Sequence, residues 1–324
     1  MELQINEFGQ TPKQLFKIPH PPRAVQQVSA PSRVGPLWNI ESVASKKTSQ
    51  VTEVSLHKKR LSSINVLQDR ILTTGHDGCV KIVTLDKMQK RSFTVCNLAI
   101  SSSSIINEKT ISVGCYDNNI YIFNIGNGRV SQCIRAHDDA VSALEYIQDL
   151  NSIASVSWDA QLKLWDVRAG YSPVSAFEDH EEQILCMSKD NYSITTCDKG
   201  GRVVIRDLRE GVLGKFEIGE RIECVSQSKH SNHLIIGQKR SLGLYDTCGS
   251  LVTSLPAEGV NCLVSDGVFV LSGQEDGILD LWEFIKGDSV HRWQDVRGVS
   301  SLYADDVSGA FYAGNKDGSL FIIP

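Results

Sequence analysis

Ile153-Ala-Ser-Val-Ser-Trp-Asp-Ala-Gln-Leu-Lys-Leu-Trp-Asp166 is the stretch that decides the fold. An apolar, β-branched run leads into a polar tight turn, and an alternating run leads out to an aromatic and an acid. Period-two alternation on both sides of a turn describes two antiparallel strands. The pattern recurs along the chain. Its turn positions, Asp77, Asp117, Asp159, Gly200, Lys239, Asp276 and Asp317, lie 40, 42, 41, 39, 37 and 41 residues apart. Seven copies at a spacing near forty define one repetitive all-β domain from about Val51 to the C-terminus, and no amphipathic helical pattern competes with it.

This interval and turn chemistry resemble the WD repeat, in which each copy supplies a four-stranded blade of a β-propeller. The resemblance implies seven blades. The last copy ends at Ile322-Ile323-Pro324 and supplies only three strands, so Val51-Thr-Glu-Val-Ser-Leu-His57 is expected to provide the fourth and close the ring. Blade three contains His137, Ser155 and Asp159, the residue types of a hydrolase triad. No G-x-S-x-G turn accompanies them. In WD repeats such a set, with a following tryptophan, here Trp165, forms a structural tetrad in which indole, hydroxyl, imidazole and carboxylate satisfy one another. Incomplete versions stand at His57, Thr73 and Asp77 without the tryptophan, and at Ser272, Asp276 and Trp282 without the histidine. Blades four and five, with Gly200 and Lys239 at the acid position, are expected to be held by packing alone.

Residues 5–23 lie outside the repeat. Phe8-Gly-Gln-Thr-Pro12, Gln14-Leu-Phe16 and Pro19-His-Pro21 resemble the closing segment of a BEACH domain, a unit that is found ahead of WD repeats. Only about twenty residues of that large domain match, so residues 1–23 read as its C-terminal remnant, extended or disordered apart from its core, and the chain as a fragment, a partial gene model or a short isoform. Residues 24–50 read as a linker, rich in Ser, Gln and Lys, with Trp38 either docked on a blade or exposed. Within the BEACH and WD-repeat family, Cys96-Asn-Leu-Ala-Ile-Ser101, Asp117-Asn-Asn-Ile-Tyr121 and His137-Asp-Asp-Ala-Val-Ser142 resemble a branch of cytoplasmic adaptors. That branch couples the cytoplasmic tail of a tumour necrosis factor receptor to neutral sphingomyelinase activation.

Composition narrows the function classes. A net charge of -5, with 22% charged and 41% hydrophobic residues, gives no basic face for nucleic acid. No apolar run reaches the length of a bilayer span, and the N-terminus does not have the order of a secretory signal, so the expected location is the cytoplasm, with membrane association only through partners. Nine cysteines without a C-x-x-C spacing read as reduced thiols. No metal, cofactor or catalytic group is expected, and the chain reads as a protein-binding module. Trp165-Asp-Val-Arg168 also resembles the W-D-x-R box of substrate receptors for cullin-type ubiquitin ligases, a second reading. The position before each turn acid reads His76, Tyr116, Trp158, Lys199, Gln238, Glu275 and Lys316. The first three are expected to form a partner-binding aromatic arc, with Asp138 and Asp139 as its acidic rim.

Overall fold

The computed structural model describes residues 51–227, 233–283, 286–294, 296–305 and 307–323. The BEACH-like stretch at 1–23 and the linker at 24–50, Trp38 included, lie outside the described residues. Strand β1 (Thr52–Ser55) comes first. Blade one holds β2 (Leu61–Leu67), β3 (Arg70–Gly75), β4 (Cys79–Thr84) and β5 (Lys90–Thr94); blade two holds β6 (Ile100–Asn107), β7 (Thr110–Cys115), β8 (Asn119–Asn124) and β9 (Arg129–Arg135). Blade three consists of β10 (Val141–Ile147), β11 (Ser152–Ser157), β12 (Leu162–Asp166) and β13 (Ser172–Phe177), and blade four of β14 (Ile184–Asp190), β15 (Ser193–Asp198), β16 (Arg202–Asp207) and β17 (Gly211–Glu217). Blade five has β18 (Ile222–Gln227), β19 (His233–Gln238), β20 (Leu242–Asp246) and β21 (Leu251–Leu255); blade six has β22 (Val260–Ser265), β23 (Phe269–Gln274), β24 (Leu279–Glu283) and β25 (Asp288–Trp293). Blade seven contains β26 (Val299–Ala304), β27 (Phe311–Asn315) and β28 (Ser319–Ile323), and β1 completes its sheet in the order β1-β28-β27-β26.

The protein is an all-β, seven-bladed propeller of the WD40 kind. Innermost strands touch in succession from β2 around to β26, and β26 touches β2. Every apolar cluster among the described residues spans two neighbouring blades, as where Leu61, Ile71 and Val83 of blade one pack with Tyr312 and Leu320 of blade seven. A blade therefore buries both faces of its sheet. That explains why β11 is buried at every position while the outer strand β13 is largely exposed.

The same irregularity opens every blade. Between the first and third residues of each inner strand the register shifts, at Leu61/Ser63, Ile100/Ser102, Val141/Ala143, Ile184/Cys186, Ile222/Cys224, Val260/Cys262 and Val299/Ser301. A bulge sharpens the local twist and re-aims the skipped side chain. Here it turns that side chain toward the next blade: Ser142 Oγ donates to the Ile184 carbonyl at 2.7 Å, Asn261 Nδ2 to Val299 at 3.1 Å and Ser300 Oγ to Leu61 at 2.6 Å. Close approach also sets residue size. A Cβ at Gly273 would stand 2.4 Å from Val299 Cγ1, and one at Gly314 would stand 2.6 Å from Leu61 Cδ2.

Closure rests on four antiparallel pairs, Thr52 with Ile322 through Ser55 with Ser319, and on Val54, which is buried between blades seven and one. A truncation that begins at Leu56 removes both while keeping His57. Its melting temperature should fall by about 5 °C or more, from the lost burial of Val54 and the lost strand pairing. An unchanged melting temperature by circular dichroism would refute this closure.

Candidate functional site

The segments that enter the inner strands and the turns between the second and third strands of the blades gather on one face. In blade three the indole N–H of Trp165 donates to Ser155 Oγ at 2.9 Å, the serine hydroxyl donates to His137 Nε2 at 2.8 Å, and His137 Nδ1 donates to Asp159 at 2.8 Å. This tautomer is the one that leaves every polar atom satisfied. The backbone N–H of His137 is bound at 3.2 Å to the Asn118 carbonyl in the turn of blade two. The set therefore clamps one blade to the next. Blade one repeats it with Thr73, at 2.9 Å from His57 Nε2, and Asp77, at 2.8 Å from His57 Nδ1. The His57 backbone N–H reaches the Gly318 carbonyl of blade seven at 2.8 Å. Gly318 adopts φ +87°, and a Cβ there would stand 2.3 Å from the His57 carbonyl, so glycine is required at this crossing.

Blade four corrects the expectation of packing alone. His180 Nδ1 donates to Asp198 at 2.8 Å and its Nε2 lies 2.7 Å from Thr196 Oγ1, with Asp198 nearly fully buried. The acid sits two residues ahead of Gly200 and also accepts the Gly200 and Arg202 backbone N–H groups at 2.9 and 3.0 Å. One carboxylate serves both the turn and the histidine. The signals were His180, 43 residues after His137, and the acid at Asp198. Blade two places Cys96 at the histidine position, 3.0 Å from Cys115 Sγ.

Blade six is a second correction. Trp282 donates to Ser272 at 3.0 Å, but Asp276 is exposed and accepts the turn N–H of Ile278. The buried acid is Asp280, held by Arg292 at 2.6 and 2.9 Å and by Gln274 at 3.0 Å. Blade five needs a shift of one residue. Gln238 pairs with Ile222 inside the sheet and is buried, so the position facing outward is Lys239, with Arg240 at the turn.

His76, Tyr116 and Trp158 are half-buried neighbours: the ring centroids are 5.7 Å apart between His76 and Tyr116 and 5.3 Å apart between Tyr116 and Trp158. Asp138 and Asp139 are exposed on the connection that carries His137. Their backbones are tied down, with Asp138 N–H donating to Asp159 at 3.1 Å and the Asp139 carbonyl accepting the Ser157 hydroxyl at 3.1 Å, while the Asp139 carboxylate accepts the Ala140 N–H at 2.7 Å. Lys199, Lys239, Glu275 and Lys316 of blades four to seven are exposed. Ser155 is fully buried, its proton committed to His137 and its lone pairs to Trp165, so the arrangement presents no nucleophile. Among the described residues no group of three or more His, Cys, Asp or Glu could hold a metal, and no helix is long and apolar enough to cross a membrane.

Residues 128–166 match the family model of the WD domain, G-beta repeat. The chain contains a WD-repeat region. The matched unit begins at the start of the outer strand of blade two and ends on the third strand of blade three, so this sequence repeat is offset from a structural blade by one strand. The chain is 24% identical to Autophagy-related protein 16 of Arabidopsis thaliana over 68% of its length and 46% of that protein. It is 24% identical to BEACH domain-containing protein B of Arabidopsis thaliana, over 99% of the chain and 15% of that protein. Telomerase protein component 1 of Rattus norvegicus is 23% identical over 75% of the chain and 10% of its own length. The chain spans less than half the length of each of these relatives.

Burial works to raise the Asp159 carboxyl, but hydrogen bonds from His137, Asp138 and Gln161 outweigh it and hold the pKa at about 2. Against the ordinary value of 3.8 this is about 2 kcal/mol of stability. It is present above pH 4 and is lost as pH falls toward 2, because the unfolded chain takes up the proton first. Asp159→Asn should lower the melting temperature by about 5 °C at pH 7, with the deficit shrinking toward pH 2; an equal deficit at both pH values would refute the linkage. A fluorophosphonate probe should leave Ser155 unlabelled, and stoichiometric modification there would overturn the structural reading of the tetrad.

Proposed function

We propose that this chain is a non-catalytic scaffold whose histidine-bearing face captures a polypeptide partner. The observation that carries the reading is the continuous run of rings, His76 to Tyr116 to Trp158, on three successive blades. Half-exposed aromatic side chains offer large contact area at small entropic cost and dominate many interfaces. Asp138 and Asp139 stand on the connection beside Trp158, where they favour a basic segment.

The finer reading comes from the resemblance to the factor associated with neutral sphingomyelinase activation. The partner would be the cytoplasmic tail of a tumour necrosis factor receptor, and the chain a cytoplasmic adaptor that couples it to sphingomyelinase activation. The similarity to BEACH domain-containing protein B along 99% of the chain supports assigning residues 1–23 to the end of a BEACH domain, with 24–50 as the linker to a propeller of residues 51–324. The ubiquitin-ligase reading draws less support, because Asp166 caps the turn after β12 by accepting the Arg168 N–H at 2.8 Å and the Ala169 N–H at 3.4 Å.

The double variant Tyr116→Ala, Trp158→Ala is the test. Capture of a receptor-tail peptide should weaken by the equivalent of about 2 kcal/mol or more with the fold intact. Unchanged capture by the folded variant would sink the proposal, and recovery of a ligase adaptor that depends on Arg168 would favour the other reading.

A further inference from the structure

On the remaining blades of the same face a second chemistry collects. Lys316 Nζ lies 2.6 Å from Glu275 Oε1, which joins blades seven and six. Lys316 is also the main reason the Glu275 carboxyl is held below its usual range, and Lys239 of blade five and Arg60 of blade one act on it through space as well. The backbone brings blades five and six together here: the Lys239 carbonyl accepts the Gly259 N–H at 2.7 Å, and the Gly259 carbonyl accepts the Glu275 N–H at 2.9 Å. Among the described residues neither Lys239 nor Arg60 makes an ion pair, so neither charge is neutralised by direct contact. Arg60 connects this cluster to the aromatic arc. Its carbonyl accepts the His76 N–H at 2.8 Å, and its guanidinium acts electrostatically on both His76 and Glu275. Lys59 adds a further positive charge beside His76.

Like charges gathered at one place disfavour the compact state unless a counter-charge is supplied, and guanidinium and ammonium groups give charge-assisted hydrogen bonds to carboxylate and phosphate oxygens. We infer that Arg60, Lys239 and Lys316 form a receiving site for an anionic group, a carboxylate or a phosphate ester, carried by the polypeptide whose apolar side chain packs on Tyr116 and Trp158. The inference rests on the arc as the docking surface and adds polarity to it. With Asp138 and Asp139 near Trp158 and the cations beyond His76, the partner has a basic residue on one side of its apolar anchor and an acidic or phosphorylated residue on the other. A partner in the reverse orientation meets like charge at both ends, which fixes the direction of the bound chain.

The test is fluorescence anisotropy on the full chain with labelled peptides. Each has a central Trp preceded by Lys and followed, at a spacing of about two to six residues of extended chain, by Ser, Glu or phosphoserine. At the best spacing the Glu or phosphoserine peptide should bind about tenfold more tightly than the Ser peptide. The advantage should shrink with added salt and vanish in the Arg60→Ala, Lys239→Ala variant, whose melting temperature is measured in parallel. A Lys239→Arg variant should keep it. Preference for phosphoserine over Glu, together with competition by inorganic phosphate, assigns the ligand as phosphate; equal binding of the two assigns it as carboxylate. Equal affinity for all three peptides overturns the inference, and loss of that shared binding in the Tyr116→Ala, Trp158→Ala variant would show that the arc reading survives. If the arc variant instead leaves the charge-dependent advantage intact, the arc reading falls while the anion site stands. Absence of binding by every peptide overturns both.

Discussion

The antiparallel pairing of β1 with β28 is the constraint on which everything else depends. A propeller blade buries both faces of its sheet against its neighbours, so an unclosed ring would expose the flank of blade one and the flank of blade seven together. The chain closes the gap twice. Strand β1 supplies the outer edge of blade seven, and the Ser300 hydroxyl, turned outward by the bulge at the start of β26, donates to the Leu61 carbonyl. Two joints at different radii resist both splaying and shear. Neither is local, since the residues that meet are separated by almost the whole domain.

Within the closed ring, the slot beneath each turn demands a satisfied polar bridge more than it demands particular residues. His, Asp and Thr or Ser fill it in blades one, three and four. Blade six reaches the same end with reversed polarity. Asp280 occupies the strand position where blades one and three have Lys81 and Lys163, and the cation comes from Arg292 on the outer strand. An uncompensated charge at Asp280 would cost several kcal/mol, which accounts for the three hydrogen bonds from Arg292 and Gln274. In blade two Tyr121 stands at that position, and its hydroxyl donates to Asp117 at 2.6 Å.

This freedom explains what could and could not be read from the sequence. The turn spacing of about forty residues gave seven blades, because alternation and tight turns are imposed by backbone geometry that every copy shares. Blade four was misread because the expectation tied the acid to the turn residue itself, whereas Asp198 serves from two residues earlier, where the chain in blades one and three has Gly75 and Ser157. Blade five slipped by one residue because Gln238, Lys239 and Arg240 include no acid or glycine to mark the turn. The Asp280–Arg292 pair was invisible for another reason. It is a contact between adjacent strands at positions that carry unrelated residues in the other blades, so no repeat pattern could reveal it.

The same reasoning bears on where function sits. In six blades the residue before the turn position gives its backbone N–H to the connection that enters the sheet, as His76 does with Arg60, Trp158 with Ala140 and Lys316 with Gly298. The main chain there does the structural work. The side chain is left to project from the face, so rings, lysines and a glutamate are all compatible with one backbone. Adjacent clamps use side chains that are buried and fully occupied, which removes them from any role in recognition. A fold that fixes its clamps in the interior and leaves one side chain per blade outside them at the surface separates stability from recognition, and on this face those residues sort into rings on blades one to three and charges on the other four.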